Sequence, residues 1–124
     1  MIVGIVQRRE ARIRLTILGF RGRRQEIEAV VDSGYTGGLS LPPTTIAALQ
    51  LRWLTFGRAL LADGSMGTFD VYQAKLMWDG RSRNVFVDEC DATPLVGMRL
   101  LQGYEYKMQV KARGNVTIKK LPRR

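Results

Sequence analysis

Short segments in which apolar and polar residues alternate, each ended by a turn sequence, run through most of this chain. Clear alternation covers residues 11–18 and 25–31, and the sequence Gly19-Phe20-Arg21-Gly22 lies between them. A period of two is typical of strands with one buried face, and such a pair separated by a glycine-containing turn is typical of a hairpin. Turn sequences recur at the roughly 8–12-residue spacing of small sandwiches and barrels. We therefore expect a mainly β fold.

The remaining elements follow from the same patterns. Further strands are expected at residues 39–41, 60–62, 68–76, 84–87, 104–112 and 116–121, with turns at 63–65, 79–82 and 113–115. Residues 44–49, with Thr44 or Thr45 as N-cap, and residues 98–101 have the pattern of short helices. There is no internal repeat, low-complexity tract or linker. Residues 1–124 are thus expected to form a single domain.

The formal net charge of +9 is unevenly distributed along the chain. Residues 1–24 have a net charge of +6 and residues 107–124 of +7, whereas residues 25–106 have −4. Basic ends of this kind can bind nucleic acid or an acidic partner. They can equally be the solvated faces of strands.

Alternation favours the second interpretation of the basic ends. Arg12 and Arg14 alternate with apolar residues, as do Lys107 and Lys111. Residues 11–18 and 107–111, where the basic residues alternate with apolar ones, contain no aromatic residue to serve as a stacking platform for bases. A small basic β-domain that binds nucleic acid remains the least favoured alternative.

The cellular location is predicted from what the chain lacks. No apolar run approaches the roughly 20 residues that span a bilayer. Residues 1–6 are apolar and the following residues are basic, which is the reverse of the order in a signal peptide. Cys90 is the single cysteine, so it cannot form an internal disulfide. We expect a cytoplasmic protein without a membrane partner.

The absence of histidine excludes most hydrolytic mechanisms. Neither a Ser-His-Asp triad nor a Cys-His pair can be built from this chain, and it lacks the residues of a structural zinc site. It has no Gly-x-x-x-x-Gly-Lys phosphate-binding loop. We expect neither a metal ion nor a cofactor. A carboxylate that activates water remains as the main catalytic possibility.

Asp32 is the carboxylate in the most suggestive position. It directly follows the apolar run Ala29-Val30-Val31, which carries it to the end of a buried strand. Ser33 supplies a hydroxyl that can stabilise the turn, and Gly34 allows a close backbone approach. The triplet alone is also ordinary turn chemistry.

The surroundings of Asp32 extend this pattern. The segment Val30-Val31-Asp32-Ser33-Gly34-Tyr35-Thr36-Gly37-Gly38-Leu39-Ser40-Leu41-Pro42 resembles the signature of the retropepsin-like aspartic proteases, the single-domain relatives of pepsin and of the retroviral proteases. Leu95-Val96-Gly97 is similar to the family's second hydrophobic-hydrophobic-Gly segment. The hairpin at Asp63-Gly64-Ser65 lies where the family has its flap. The resemblance covers about residues 10–120.

The resemblance implies a small closed, barrel-like acid-protease domain with a flap hairpin and one or two short helices. It implies that Asp32 is catalytic, and that Ser33, Gly34, Thr36, Val96 and Gly97 support its loop. Because the chain has one such segment, it implies a homodimer in which two Asp32 residues share a proton and activate water against a peptide bond.

The resemblance also implies an extended peptide or protein substrate that lies between the flap and the two aspartates. By their neighbourhood in the sequence alone, Tyr35, Met66, Phe69 and Val96 are candidates for lining its subsites, and a plain core or surface role fits each of them at least as well. The mildly acidic central segment would favour neutral or basic peptides slightly. A catalytically inactive domain of the same fold that binds peptides or proteins is the first alternative.

Overall fold

The computed structural model describes residues 1–123 and is mainly β. Its strands are β1 (Ile2–Gln7), β2 (Glu10–Leu18), β3 (Arg24–Val31), β4 (Leu39–Leu41), β5 (Arg52–Leu60), β6 (Met66–Trp78), β7 (Arg81–Glu89), β8 (Leu95–Val96), β9 (Tyr104–Met108) and β10 (Asn115–Lys120). Its helices are α1 (Pro43–Leu49) and α2 (Met98–Leu101). The prediction of a mainly β fold with one or two short helices is confirmed, and the structure has two. Nowhere in residues 1–123 does a helix have the length and apolar character needed to cross a membrane.

The strands form one hydrogen-bonded sheet in the order β5-β6-β7-β4-β8-β3-β2-β1-β10-β9. An additional pairing joins β6 to β2, at Thr16–Met77, Ile17–Leu76 and Leu18–Lys75. Strands β2, β3, β8, β4, β7 and β6 therefore form a ring. Strand β5 extends from this ring on one side, and β1, β10 and β9 extend from it on the other.

The buried core draws on strands of the ring and also on β1, β10 and both helices, and it explains the alternation in the sequence. Along β2, Ala11, Ile13, Leu15 and Ile17 are buried, and the polar residues between them face outward. Burial of this apolar surface is the main stabilising contribution. Trp78 is also buried, and its ring packs edge to face against Tyr104 with ring centres 5.7 Å apart.

Strand β8 lies between β3 and β4 and positions the loop that connects them. It pairs in parallel with β3, where Val31 is opposite Val96, and antiparallel with β4, where Leu39 is also opposite Val96. Ser40 is buried, and its hydroxyl oxygen accepts a hydrogen bond from the Leu95 amide at 3.1 Å. The loop of residues 32–38 consequently passes across the end of β8.

Several local predictions differ from the structure. The strand expected at residues 60–62 is instead β5, Arg52–Leu60, because the chain turns directly after it. Residues 2–7 were not expected to form a strand, yet β1 pairs with both β2 and β10. Helix α1 begins at Pro43 with Pro42 as N-cap, so the prediction of Thr44 or Thr45 as N-cap is wrong. Proline is favoured at the first helical position because its φ is already helical and its missing N–H has no partner there.

The last hairpin is shorter than its sequence pattern indicated. Strand β9 ends at Met108, and the expected strand residues 109–112 belong to a loop. The end of this loop bonds instead to β1: the Val6 amide donates to the Gly114 carbonyl, and the Arg113 amide donates to the Val6 carbonyl, each at 2.9 Å. Val110 is accordingly 65% exposed.

Candidate active site

Asp32 lies immediately after the last residue of β3 and is half-buried. Its amide donates to the Val96 carbonyl at 2.8 Å, so its backbone is attached to β8. One carboxylate oxygen, Oδ1, accepts a hydrogen bond from the Gly34 amide at 2.8 Å. This arrangement orients the carboxylate at the end of the strand through a local turn of the Asx type.

Gly97 joins the Asp32 loop to the beginning of α2. The Gly97 amide donates to the Gly38 carbonyl at 2.8 Å, and the Met98 amide donates to the Tyr35 carbonyl at 2.8 Å. A Cβ atom at position 97 would overlap the carbonyl oxygens of Tyr35 and Gly37. The close approach of the two segments therefore requires glycine at this position.

The structure thus brings together all six residues that the sequence assigned to Asp32 and its support. Ser33, Gly34 and Thr36 are exposed in the loop, whereas Val96 and Gly97 are buried beneath it. Val96 supports the loop through its backbone, and its side chain lies in the core. The prediction that Val96 lines a substrate subsite is therefore wrong.

The hairpin assigned to the flap is present and consists of β5 and β6. Asp63, Gly64 and Ser65 form its tip, where the Leu61 amide donates to the Ser65 carbonyl at 2.8 Å. Asp63 Oδ1 accepts hydrogen bonds from the Ser65 hydroxyl and amide, at 2.6 and 2.9 Å. These bonds lower the pKa of Asp63. The tip is therefore ordered by its own side chains.

A cleft of about 550 Å³ separates this hairpin from the Asp32 loop. Its lining residues are Tyr35, Thr36, Gly37 and Gly38 from the loop, Thr55, Arg58, Ala59, Phe69 and Val71 from the hairpin, and Phe86, Asp88 and Arg99. Tyr35 and Phe69 were named from the sequence as candidates for lining substrate subsites, and both line this cleft. Met66 lies near the hairpin tip, is 60% exposed and is not among the residues that line the cleft.

Tyr35 and Asp88 form the polar part of the cleft wall. The Tyr35 hydroxyl donates a hydrogen bond to Asp88 Oδ2. Burial, and secondly this hydrogen bond, raise the pKa of Tyr35 well above its usual value of 10.0. Tyr35 is therefore a stable hydrogen-bond donor at neutral pH, and Asp88 is already paired.

Sequence reasoning missed two further residues near Asp32. Arg99 follows Gly97 by two positions, and its amide donates to the Gly37 carbonyl at 3.1 Å. Tyr106 lies on β9. Burial raises the pKa of Tyr106, and the negative charge of Asp32 raises it further, which indicates that the two side chains are close. The spacing from Gly97 could have indicated Arg99. No local signal connects Tyr106 to Asp32.

The basic N-terminal segment is partly neutralised by ion pairs. Arg12 contacts Glu10 and Glu28 at 2.7 Å, and Arg14 contacts Glu26 at 2.8 Å. The contacts with Glu28 and Glu26 join diagonal positions of β2 and β3, whereas the Arg12–Glu10 contact lies within β2. Among residues 1–123, His, Cys, Asp and Glu side chains form no group of three or more that could hold a metal ion.

Comparison of the chain with models of protein families, with curated proteins and with solved structures finds no match.

Proposed function

We propose that this protein is an aspartic endopeptidase of the retropepsin-like type, with Asp32 as its catalytic residue. The observation that carries the proposal is the attachment of the Asp32 loop to β8 and Gly97. A carboxylate at the end of a buried strand is oriented by the Gly34 amide, and its backbone bonds to the Val96 carbonyl. Such support holds a reacting group in one geometry before substrate binds.

The proposed mechanism requires a second carboxylate, because one group must accept a proton while another donates one. The chain contains a single Asp-Ser-Gly segment. We therefore propose a homodimer in which a two-fold axis brings the Asp32 of each subunit together. Ser33, Gly34 and Thr36 are exposed on the loop and accessible to a partner subunit.

In this dimer, the two carboxylates share one proton because two like charges in contact cannot both ionise. The ionised Asp32 takes a proton from water, and the resulting hydroxide adds to the peptide carbonyl carbon. The protonated Asp32 gives its proton to the carbonyl oxygen. Cleavage of the C–N bond then transfers a proton to the leaving amine and yields a carboxylic acid and an amine.

The cleft between hairpin and loop is the proposed binding site for an extended peptide. Phe69, Val71 and Phe86 provide apolar walls. The peptide backbone is expected to bind as an added strand, while its alternate side chains enter the cleft. The alternative of a nucleic-acid-binding domain has less support, because Arg12 and Arg14 already form ion pairs with glutamates.

The proposal is tested by exposing a mixed peptide library to the wild type, to Asp32→Asn and to Asp91→Asn, from about pH 3.5 to pH 7.5. Asp91 is exposed and serves as a matched control for the change from carboxylate to amide. We expect cleavage by the wild type and by Asp91→Asn only. Equal cleavage by Asp32→Asn, or none by a wild type shown to be dimeric, would refute the proposal. Peptide binding without cleavage would support the inactive binding domain instead.

A further inference from the structure

We propose that the cleft selects a peptide in which an acidic side chain adjoins an apolar one, and that Arg58 and Arg99 recognise the acidic group. This inference deepens the proposed function and rests on it for the position of the peptide. The central segment as a whole is net negative, so its composition does not indicate this preference. The preference follows from which charged residues line the cleft.

Arg58 and Arg99 reach the cleft from two different elements. Arg58 lies on β5 of the hairpin, and Arg99 lies on α2 below the Asp32 loop. Within residues 1–123, neither guanidinium has a carboxylate oxygen within the 4.0 Å of an ion pair, whereas Arg12 and Arg14 have such partners. The two arginines therefore keep their hydrogen-bond donors available for a ligand.

The acid in the cleft does not cancel this charge. Asp88 is the one carboxylate among the lining residues of the described chain, and it already accepts the Tyr35 hydroxyl hydrogen bond. The cleft lining thus contains two guanidinium groups and one carboxylate, and this carboxylate is already hydrogen-bonded to Tyr35. The residues that line the cleft, which do not include Asp32, therefore carry a net positive charge that is complementary to an Asp or Glu side chain.

The apolar residues around the two arginines indicate that the peptide also carries an apolar side chain. Phe69, Val71 and Phe86 line the same cleft, and the Arg99 guanidinium lies 5.9 Å from the centre of the Phe86 ring. Stacking on an aromatic ring orients an arginine without consuming its donors. An apolar side chain fits these walls while its acidic neighbour contacts the arginines.

A second opening continues the positive surface beyond Arg99. It has a volume of about 200 Å³, shares Gly38, Phe86 and Arg99 with the first cleft, and adds Arg83. The positive surface is therefore longer than a single side chain of a bound peptide. This continuity favours a peptide segment over a single small anion.

The test measures binding separately from catalysis, so that the inference and the proposed function can fail independently. Two fluorescein-labelled peptides of equal length carry either Glu or Gln on both sides of a central Leu-Phe pair. Their affinities for the Asp32→Asn protein are measured by fluorescence anisotropy at physiological salt. The same measurement is made on Asp32→Asn proteins that also carry either Arg99→Gln or Arg58→Gln. The control protein carries Asp32→Asn with Arg81→Gln, which removes an equal charge from an exposed position outside the cleft.

We expect the Glu peptide to bind roughly three- to tenfold more tightly than the Gln peptide, as for partly exposed charge pairs. Arg99→Gln and Arg58→Gln should each reduce this ratio, and Arg81→Gln should leave it nearly unchanged. Equal binding of the two peptides, or an equal reduction by all three arginine variants, would overturn the inference. A Glu preference that depends on Arg99 or Arg58, together with no cleavage by the wild type, would support the inference and refute the proposed function.

Discussion

Gly97 has the strictest local requirement among the residues of the candidate site. The Gly97→Ala change would place a Cβ atom against the carbonyl oxygens of Tyr35 and Gly37, and backbone atoms cannot move aside as a flexible side chain can. We expect it to lower the free energy of unfolding by about 1–3 kcal/mol, the usual cost of overpacking, and to displace the Asp32 loop. Urea unfolding measures the stability.

Gly38→Ala is the matched control for Gly97→Ala. Its new Cβ atom would lie 3.5 Å from the nearest atom, Leu100 Cγ, which is ordinary van der Waals contact. We expect a much smaller change in stability from this substitution. Similar losses in both variants would show that the two segments do not approach as closely as described.

Tyr35 provides a prediction about pH. Burial and the hydrogen bond to Asp88 raise its pKa above the ordinary 10.0. Above pH 10 the phenol of Tyr35 loses its proton in the unfolded chain but keeps it in the folded chain. This deprotonation stabilises the unfolded state, so the free energy of unfolding falls as pH rises. Tyr35→Phe should flatten this fall between about pH 9 and pH 11. Urea unfolding of both proteins over this range measures it, and identical slopes would contradict the assignment.

Single residues were predictable where a local motif identifies them. Asp32, Gly34 and Gly97 could be selected because their segments combine an apolar run with glycine. Asp88 and Tyr106 could not, since their roles arise from strands that only the tertiary fold brings together. The two tryptophans also differ in a way that the sequence does not indicate. Trp53 is 51% exposed and its indole N–H donates to Asp70 at 3.0 Å, whereas Trp78 is buried.

At the scale of elements, the β5–β6 hairpin depends on the side chain at its tip. Asp63 accepts both the amide and the hydroxyl hydrogen bonds of Ser65. We expect Asp63→Ala to increase hydrogen exchange at the Ser65 amide while the amides of β2 remain protected. Exchange followed by NMR or mass spectrometry measures this. Unchanged protection at Ser65 would show that the hairpin backbone alone orders the tip.

Elements were predictable where alternation is regular and turns carry glycine, as for β2, β3 and β6. Strand β1 was not, because residues 2–6 form an apolar run without alternation. Its insertion between β2 and β10 is a long-range pairing, and Val3 remains exposed on its outer face. The loop after β9 was mistaken for strand because its alternation continues beyond the last sheet pairing.

At the scale of the whole molecule, the proposed homodimer has to overcome a net charge of +9 on each chain. Two such chains repel each other at low ionic strength, and salt screens this repulsion. We expect association to strengthen when salt is raised from low to physiological concentration, in the wild type and in Asp32→Asn alike. Sedimentation at micromolar concentration measures it. Monomers under all these conditions, with no change on adding a peptide inhibitor, would contradict the dimer.

The central claim is that each active site uses one Asp32 from each of two subunits. Wild type and Asp32→Asn are refolded together in varying proportions at constant total concentration, and peptide cleavage is measured. Because a mixed dimer has one aspartate, activity should fall as the square of the wild-type fraction, to about one quarter in an equal mixture. A linear fall, to about one half in the same mixture, would show that a single chain is sufficient and would contradict the account.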